Sequence, residues 1–319
     1  MKTRVFSMLV LVLVLSSLAI GARADTLGTA ESYAVIAQTL VSNPTTFGDT
    51  IITGSVGISP SGSCTGFVAA ACGTAAAGTI SGAININNTV SAGALADAET
   101  AEGALLATVI PAPTSLTGGT LGLGLDASLA PGVYTFTSGA QLSNTLTLAA
   151  AGNLAPIWIF EVPDILTVGD TANSASVVVT DTTGGAGAAA AGVYWVVGSA
   201  ILNSNVAFLG NILAETNITF DPGAQDTCGR AFADTSVTFA GDNPSAAGGQ
   251  PNVVSNTCTQ STSGFDNGVI SPGGPGGGVI PGPIVTQAPE PGTITLLGVG
   301  LLGLLMIGAR RKRMLVCAC

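Results

Sequence analysis

No histidine occurs anywhere in the 319-residue chain, and between Ala24 and Arg310 the one basic side chain is Arg230. Acid–base and metal chemistry near neutral pH recruits histidine or lysine, and phosphate recognition recruits arginine and lysine. Their scarcity argues against an enzyme, against a bound metal and against a phosphate-bearing cofactor. Asp25 to Ala288 hold 17 acidic residues and a single Arg, a balance close to −16. A surface so acidic does not attract nucleic acid. Acidity alone would suggest disorder, but Ala, Val, Ile and Leu are abundant, so a core can form. The length suits one large domain or two small ones.

Of the six cysteines, Cys317 and Cys319 stand at the very end, leaving Cys64, Cys72, Cys228 and Cys258. Neither a Cys-x-x-Cys spacing nor a histidine is present, so a metal site is disfavoured and disulfides are expected. Four cysteines allow three pairings, which the sequence alone does not decide. Cys64 with Cys72 and Cys228 with Cys258 are preferred, because each pair brackets a loop rich in Gly, Ala, Pro or Asn that a crosslink would restrict.

The two ends carry the remaining basic residues. Lys2 and Arg4, an apolar run from Val5 to Ile20 and Ala22-Arg23-Ala24 read as a signal peptide over residues 1–24. Near the other end Pro289-Glu290-Pro291 precedes an apolar segment, Gly292 to Ala309, and the cluster Arg310-Arg311-Lys312-Arg313. At about 1.5 Å per residue the segment is just long enough to cross a hydrocarbon core, with its basic end in the cytoplasm. This order resembles the PEP-CTERM sorting signal of Gram-negative bacteria. The resemblance implies export through the inner membrane, transient anchoring there, recognition by an exosortase-type enzyme, and delivery to the cell surface or extracellular matrix. Between them, residues 259–288 read as a Gly/Pro/Ser-rich tether.

The body consists of short strands separated by turns every eight to twelve residues, for example Gly132 to Phe136, Pro156 to Val162, Gly192 to Gly198, Thr216 to Phe220 and Thr235 to Phe239. Such a pattern allows a sandwich, a barrel or a solenoid. Rough self-similarity at about 20 to 35 residues favours the solenoid. Asn88 to Ile110 differs: Leu95, Ala98, Leu105 and Val109 recur at helical spacing, Asn88 or Thr89 can cap the start, and Pro111 follows. One long helix packed along the strands is expected.

Leu27-Gly28-Thr29-Ala30-Glu31-Ser32-Tyr33-Ala34-Val35, Ile52 to Pro60, Leu129-Ala130-Pro131-Gly132-Val133-Tyr134, Ile157-Trp158-Ile159-Phe160 and Cys228-Gly229-Arg230-Ala231-Phe232-Ala233 together resemble the microbial ice-binding protein family, over about Asp25 to Cys258. The resemblance implies a mainly β fold: a right-handed, discontinuous β-solenoid of triangular section with one long α-helix alongside. It also implies an ice-contacting flat face of Thr, Ser and Asn. Alternation along the strands places Asn217, Thr219, Ser236 and Thr238 outward. Ile201 and Asn203, Ile165 and Thr167, and Gln141 and Ser143 are the matching pairs in neighbouring repeats, with Thr53 and Ser55 in the first coil. The ice crystal surface is then the partner.

Two other functions compete. A surface adhesin or matrix component that does not bind ice fits the sorting signal and tether equally well. A polysaccharide lyase or hydrolase would need paired carboxylates; Asp164 with Asp170 and Asp221 with Asp226 are the candidates, though each pair sits beside turn residues. As the lone cation Arg230 has a binding role as one reading; the favoured one is structural, pairing with an acid such as Asp234 or binding strand carbonyls within Cys228 to Ala233.

Overall fold

Alternating aliphatic and short polar residues fold into strands stacked by parallel ladders. The computed structural model describes residues 27–44, 49–73, 78–108, 112–116, 118–153, 156–170, 174–180, 192–242 and 250–257. The first segment contains β1 (Tyr33–Ala37), β2 (Leu40–Ser42), β3 (Thr50–Thr53), β4 (Ser55–Ile58), β5 (Ser63–Thr65), β6 (Thr79–Ile80) and β7 (Ile84–Ile86). Helix α1 (Thr89–Leu106) follows, then β8 (Thr114–Ser115), β9 (Thr120–Leu121), β10 (Ser128–Leu129), β11 (Gly132–Thr135), β12 (Ala140–Leu142), β13 (Thr145–Ala149) and β14 (Ile157–Val168). The chain continues through β15 (Ser176–Thr180), β16 (Gly192–Leu202), β17 (Ala207–Ala214), β18 (Asn217–Phe220), β19 (Gln225–Ala233), β20 (Ser236–Phe239) and β21 (Asn252–Ser255).

Three ladders make three faces, and each coil crosses all of them. The helix-side ladder runs β8, β11, β14, β16, β17, β19, β1, β4, β7. A second runs β9, β12, β14, β16, β18, β20, β2, β5. The third runs β10, β13, β15, β17, β19, β21, β3, β6. This is a triangular β-solenoid. Strands β14 and β16 are long because each bends from the helix-side ladder into the second one; β14 does so at an irregularity between Val162 and Ile165.

The solenoid is discontinuous. β1, β2 and β3 lie against β19, β20 and β21, so the first coil in sequence stacks on the last. The chain must then return to the far end before β8. The 18 residues of α1 cover about 27 Å of that return at the helical rise.

α1 starts where Asn88 accepts from the Ser91 amide at 2.8 Å while the Ser91 hydroxyl accepts from the Asn88 amide at 3.2 Å, a reciprocal cap. Its buried stripe is Ser91, Ala94, Ala98, Ala101 and Leu105. Small residues let the helix lie close on Tyr33, Ile36, Ile159, Tyr194, Leu213 and Phe232. The expected Ala98 and Leu105 are in this stripe, Leu95 is at its margin, and Val109 lies outside the described residues.

Inside, aromatic rings stack from coil to coil. Tyr134, Phe160, Trp195 and Phe208 follow one another with centroids 5.4, 4.0 and 5.1 Å apart. Both indoles spend their donors on backbone carbonyls, Trp158 on Leu129 at 3.1 Å and Trp195 on Leu209 at 3.2 Å.

Arg230 is fully buried. Its Nε and Nη2 donate to the Glu31 carbonyl at 3.1 and 2.9 Å, and Nη1 donates to Asn211 Oδ1 at 2.9 Å. The guanidinium therefore ties the start of the chain to β17 and β19, as the structural reading expects, but Asp234 is not its partner. The acid in its field is the buried Asp226. Burial raises the Asp226 pKa well above the ordinary carboxylate value; the Cys228 amide, the Arg230 charge and the Gly210 amide pull it back down. These amides lie near the carboxylate without reaching full hydrogen-bond geometry.

Cys64 and Cys72 form the expected disulfide, with Cα atoms 4.4 Å apart. Cys228 is also disulfide-bonded. Its expected partner, Cys258, lies outside the described residues, as do the signal peptide, the tether and the sorting signal with Pro289, Glu290 and Pro291.

Candidate functional site: a flat, uncharged face

The second ladder carries two outward rows of short side chains. In register, the first row reads Thr120, Gln141, Thr167, Ile201, Thr219, Thr238, Ser42 and Thr65. The second reads Ile165, Ser199, Asn217, Ser236, Leu40 and Ser63. Between the rows point the buried residues Ala140, Leu166, Ala200, Ile218, Val237, Val41 and Cys64. Ladder spacing of about 4.8 Å along the stack and two residues of strand across it, about 6.6 Å, define the grid. The seven steps of the first row cover about 34 Å.

None of the residues in the two rows is ionisable. Threonine suits such a grid: its branched side chain is stiff at χ1 and offers a methyl and a hydroxyl together. Neighbouring side chains steady one another, as where the Ser236 hydroxyl donates to Asn217 Oδ1 at 2.8 Å. At the helix-side margin the Thr216 hydroxyl donates to the Gly198 carbonyl at 2.7 Å, and Thr39 to the Thr235 carbonyl at 2.8 Å. The core beneath is packed with aromatic rings: Phe220 and Phe239 stack at 4.9 Å and Phe67 meets Phe239 edge-on at 6.1 Å. Ile165, 42% exposed, and Ile201 interrupt the polar rows.

The structure brings most of the sequence-predicted residues together and relocates the others. Thr167, Ile201, Thr219 and Thr238 share one row, and Ile165, Asn217 and Ser236 share the other. Asn203 and Ser143 lie just past the ends of β16 and β12, at the corner with the third face. Asn203 turns its amide to the Gly169 carbonyl at 2.9 Å, and Gln141 donates to the same oxygen at 2.7 Å. Ile165 pairs with Ser199 and Thr167 with Ile201, so the expected match of Ile201 and Asn203 to Ile165 and Thr167 is one step out of register. Thr53 ends β3 on the third ladder and Ser55 begins β4 on the helix-side ladder; neither belongs to the flat face.

Sequence reasoning missed Leu40, Ser42, Ser63 and Thr65, which reach the face because the first coil stacks on the last. A signal was present: Thr39-Leu40-Val41-Ser42 has the same plan as Thr235-Ser236-Val237-Thr238.

Carboxylates stay beside the grid. Asp234, at the corner just before Thr235, faces Glu99 and Glu102 of α1 across a small cavity also lined by Leu95, Ala98 and Phe232, and the charge of Glu215, just before Thr216, acts on the same cluster. Burial first, then repulsion from Asp234, Glu215 and Glu99, raises the Glu102 pKa from its ordinary 4.5 to about 7. Asp234 is raised by the same causes, burial leading. No group of three or more potential metal ligands is assembled among the described residues.

A parallel β-solenoid that stacks its first coil on its last and presents a flat, charge-free hydroxyl face defines a class of its own. Residues 35–243 match the family model described as ice-binding-like, and the chain belongs to that family. Residues 287–313 match the PEP-CTERM protein-sorting motif, which marks the chain for export and a surface or extracellular location. An ice-binding protein of Nostoc sp. (strain HG1) is 34% identical over 289 residues, covering 90% of this chain and 87% of the relative. Ice-binding protein K3-B1 of Typhula ishikariensis is 33% identical over 229 residues, 66% of this chain and 85% of that one. Among solved structures, the ice-binding protein of the Antarctic ascomycete Antarctomyces psychrotrophicus superposes with a TM-score of 0.55 at 29% identity, covering 72% of this chain and 96% of that chain. An ice-binding protein from an Antarctic biological consortium gives the same score and identity over 72% and 89%.

Proposed function

We propose that the exported chain binds ice through the flat face, with Thr167, Ile201, Thr219 and Thr238 of the first row and Ile165, Ser199, Asn217 and Ser236 of the second as its contacts. The observation that carries this reading is the register itself: stiff, uncharged side chains repeat on a two-dimensional grid over a packed core. Hydroxyls and methyls at fixed spacing can hold a water layer commensurate with a crystal, whereas a charged side chain would impose its own hydration. Because the grid is ordered before contact, little conformational entropy is lost on binding. Freezing-point depression or inhibition of ice recrystallisation is the resulting activity.

The motif match supports a maturation route in which residues 1–24 are removed on export, residues 25–258 form the ice-binding solenoid, and residues 259–288 are the tether. An exosortase-type enzyme then recognises Pro289-Glu290-Pro291 while residues 292–309 hold the chain transiently in the inner membrane. Four carboxylates proposed for a glycan-cleaving site do not support that alternative. Asp226 is enclosed in the core, while Asp164 and Asp170 are exposed at opposite ends of the flat-face stretch of β14. Ice-affinity partitioning of residues 25–258 tests the proposal: incorporation into slowly growing ice is expected, and exclusion from it would favour an adhesin that binds something else.

A further inference from the structure

The flat face ends, among the described residues, at β5, whose three residues pair with β2 on one side. A terminal strand this short has few ladder bonds and opens readily. Yet Ser63 and Thr65 extend both rows by one rung, and the residue between them, Cys64, is the inward one. Its sulfur lies under the face and is joined to buried Cys72 eight residues on.

The loop thus closed is shaped to hold the rung. The Gly66 amide donates to the Cys72 carbonyl at 3.1 Å, and the Cys72 amide donates to the Ala69 carbonyl at 2.9 Å. Gly66 has φ +83°, and a Cβ there would fall on the carbonyl of Asn43. Asn43 in turn donates its backbone amide to the Thr65 carbonyl at 3.0 Å and its side-chain amide to the Gly66 carbonyl at 2.9 Å, while accepting from the Thr50 hydroxyl at 2.6 Å. A crosslink across so short a loop removes most of the open conformations available to its ends.

We infer that the Cys64–Cys72 disulfide is a positioning element of the flat face, holding Ser63 and Thr65 in register so that the surface runs one rung beyond β2. The inference rests on the proposed ice contact and deepens it. A frayed end rung would have to be ordered at the crystal surface, and that cost would reduce binding.

The test uses the processed chain and its Cys64→Val/Cys72→Ala variant, in which Val continues the inward row of Val41 and Val237. Hydrogen exchange near 4 °C should speed up by about tenfold or more at the Ser63 and Asn43 amides and stay unchanged at those of Val237 and Thr238. Crystal-shaping activity should fall in the same variant. Thr65→Tyr should lower activity in the disulfide-bonded chain and have less effect in the variant, because the rung has already been released. Equal exchange and equal activity in the two chains would overturn the inference, as would full activity of Thr65→Tyr in the disulfide-bonded chain. If Thr219→Tyr/Thr238→Tyr also left activity intact, the failure would lie with the ice face as a whole; if that variant lost activity, it would lie with the positioning role alone.

Discussion

Glu102→Gln should make the protein more stable at pH 8 and leave it nearly unchanged near pH 4. In the folded chain Glu102 is half-buried at the seam between α1 and the solenoid, where Asp234, Glu215 and Glu99 face it. The Gln38 amide reaches Glu99 at 3.3 Å, and Arg230 is committed to the Glu31 carbonyl and Asn211. A pKa raised from 4.5 to about 7 means that the folded state holds a proton that the unfolded state has released. The associated stability is complete below about pH 4.5, declines as pH rises, and is gone above about pH 7. A rise of this size corresponds to at most about 3.4 kcal/mol; water reaching the half-open site screens the repulsion, leaving about 1 kcal/mol. Removing the charge should therefore raise Tm at pH 8 by about 2–4 °C. The assay is thermal unfolding of the wild type and Glu102→Gln from pH 4 to pH 8. Parallel curves, or a variant less stable than the wild type at pH 8, would refute the reasoning.

Other perturbations address the frame that holds the face. Arg230→Lys loses the forked contact to the Glu31 carbonyl and leaves buried acceptors underused, so urea unfolding should show a loss of about 2–4 kcal/mol. Asn88→Ala removes the side-chain half of the helix cap and should cost about 1 kcal/mol in the same assay. Gly229→Ala would press a methyl onto the Gly210 carbonyl and the Asp226 carboxylate, with an expected cost of about 1–3 kcal/mol seen as a lower Tm.

Much of the architecture is written locally. Pro156 to Val162 and Gly192 to Gly198 announce strands through β-branched and aromatic residues, and Asn88 followed by Leu95, Ala98 and Leu105 at helical spacing announces the helix. Where those strands turn a corner is not local. Period-two alternation marks Ile165 and Thr167 as outward, but β14 and β16 pass through the corner without ending, so the sequence cannot show that Ser199, and not Ile201, lies opposite Ile165. The contribution of Leu40–Ser42 and Ser63–Thr65 was hidden for a different reason. It arises from stacking β2 on β20, across nearly the whole length of the domain. Arg230 was legible as structural from its place in the Cys228 to Ala233 segment, and a backbone carbonyl was among the expected acceptors; that the carbonyl belongs to Glu31 and that Asn211 shares the guanidinium was not, since both contacts come from distant parts of the chain.

The ice face itself is tested most directly by Thr219→Tyr/Thr238→Tyr, two adjacent positions of one row. Their outward side chains leave the core untouched, so the fold should survive, as judged by circular dichroism and an unchanged Tm. Ice crystals grown slowly below 0 °C in the presence of the variant should lose the faceting imposed by the wild type. Undiminished shaping by a folded variant would contradict the assignment of ice contact to this face.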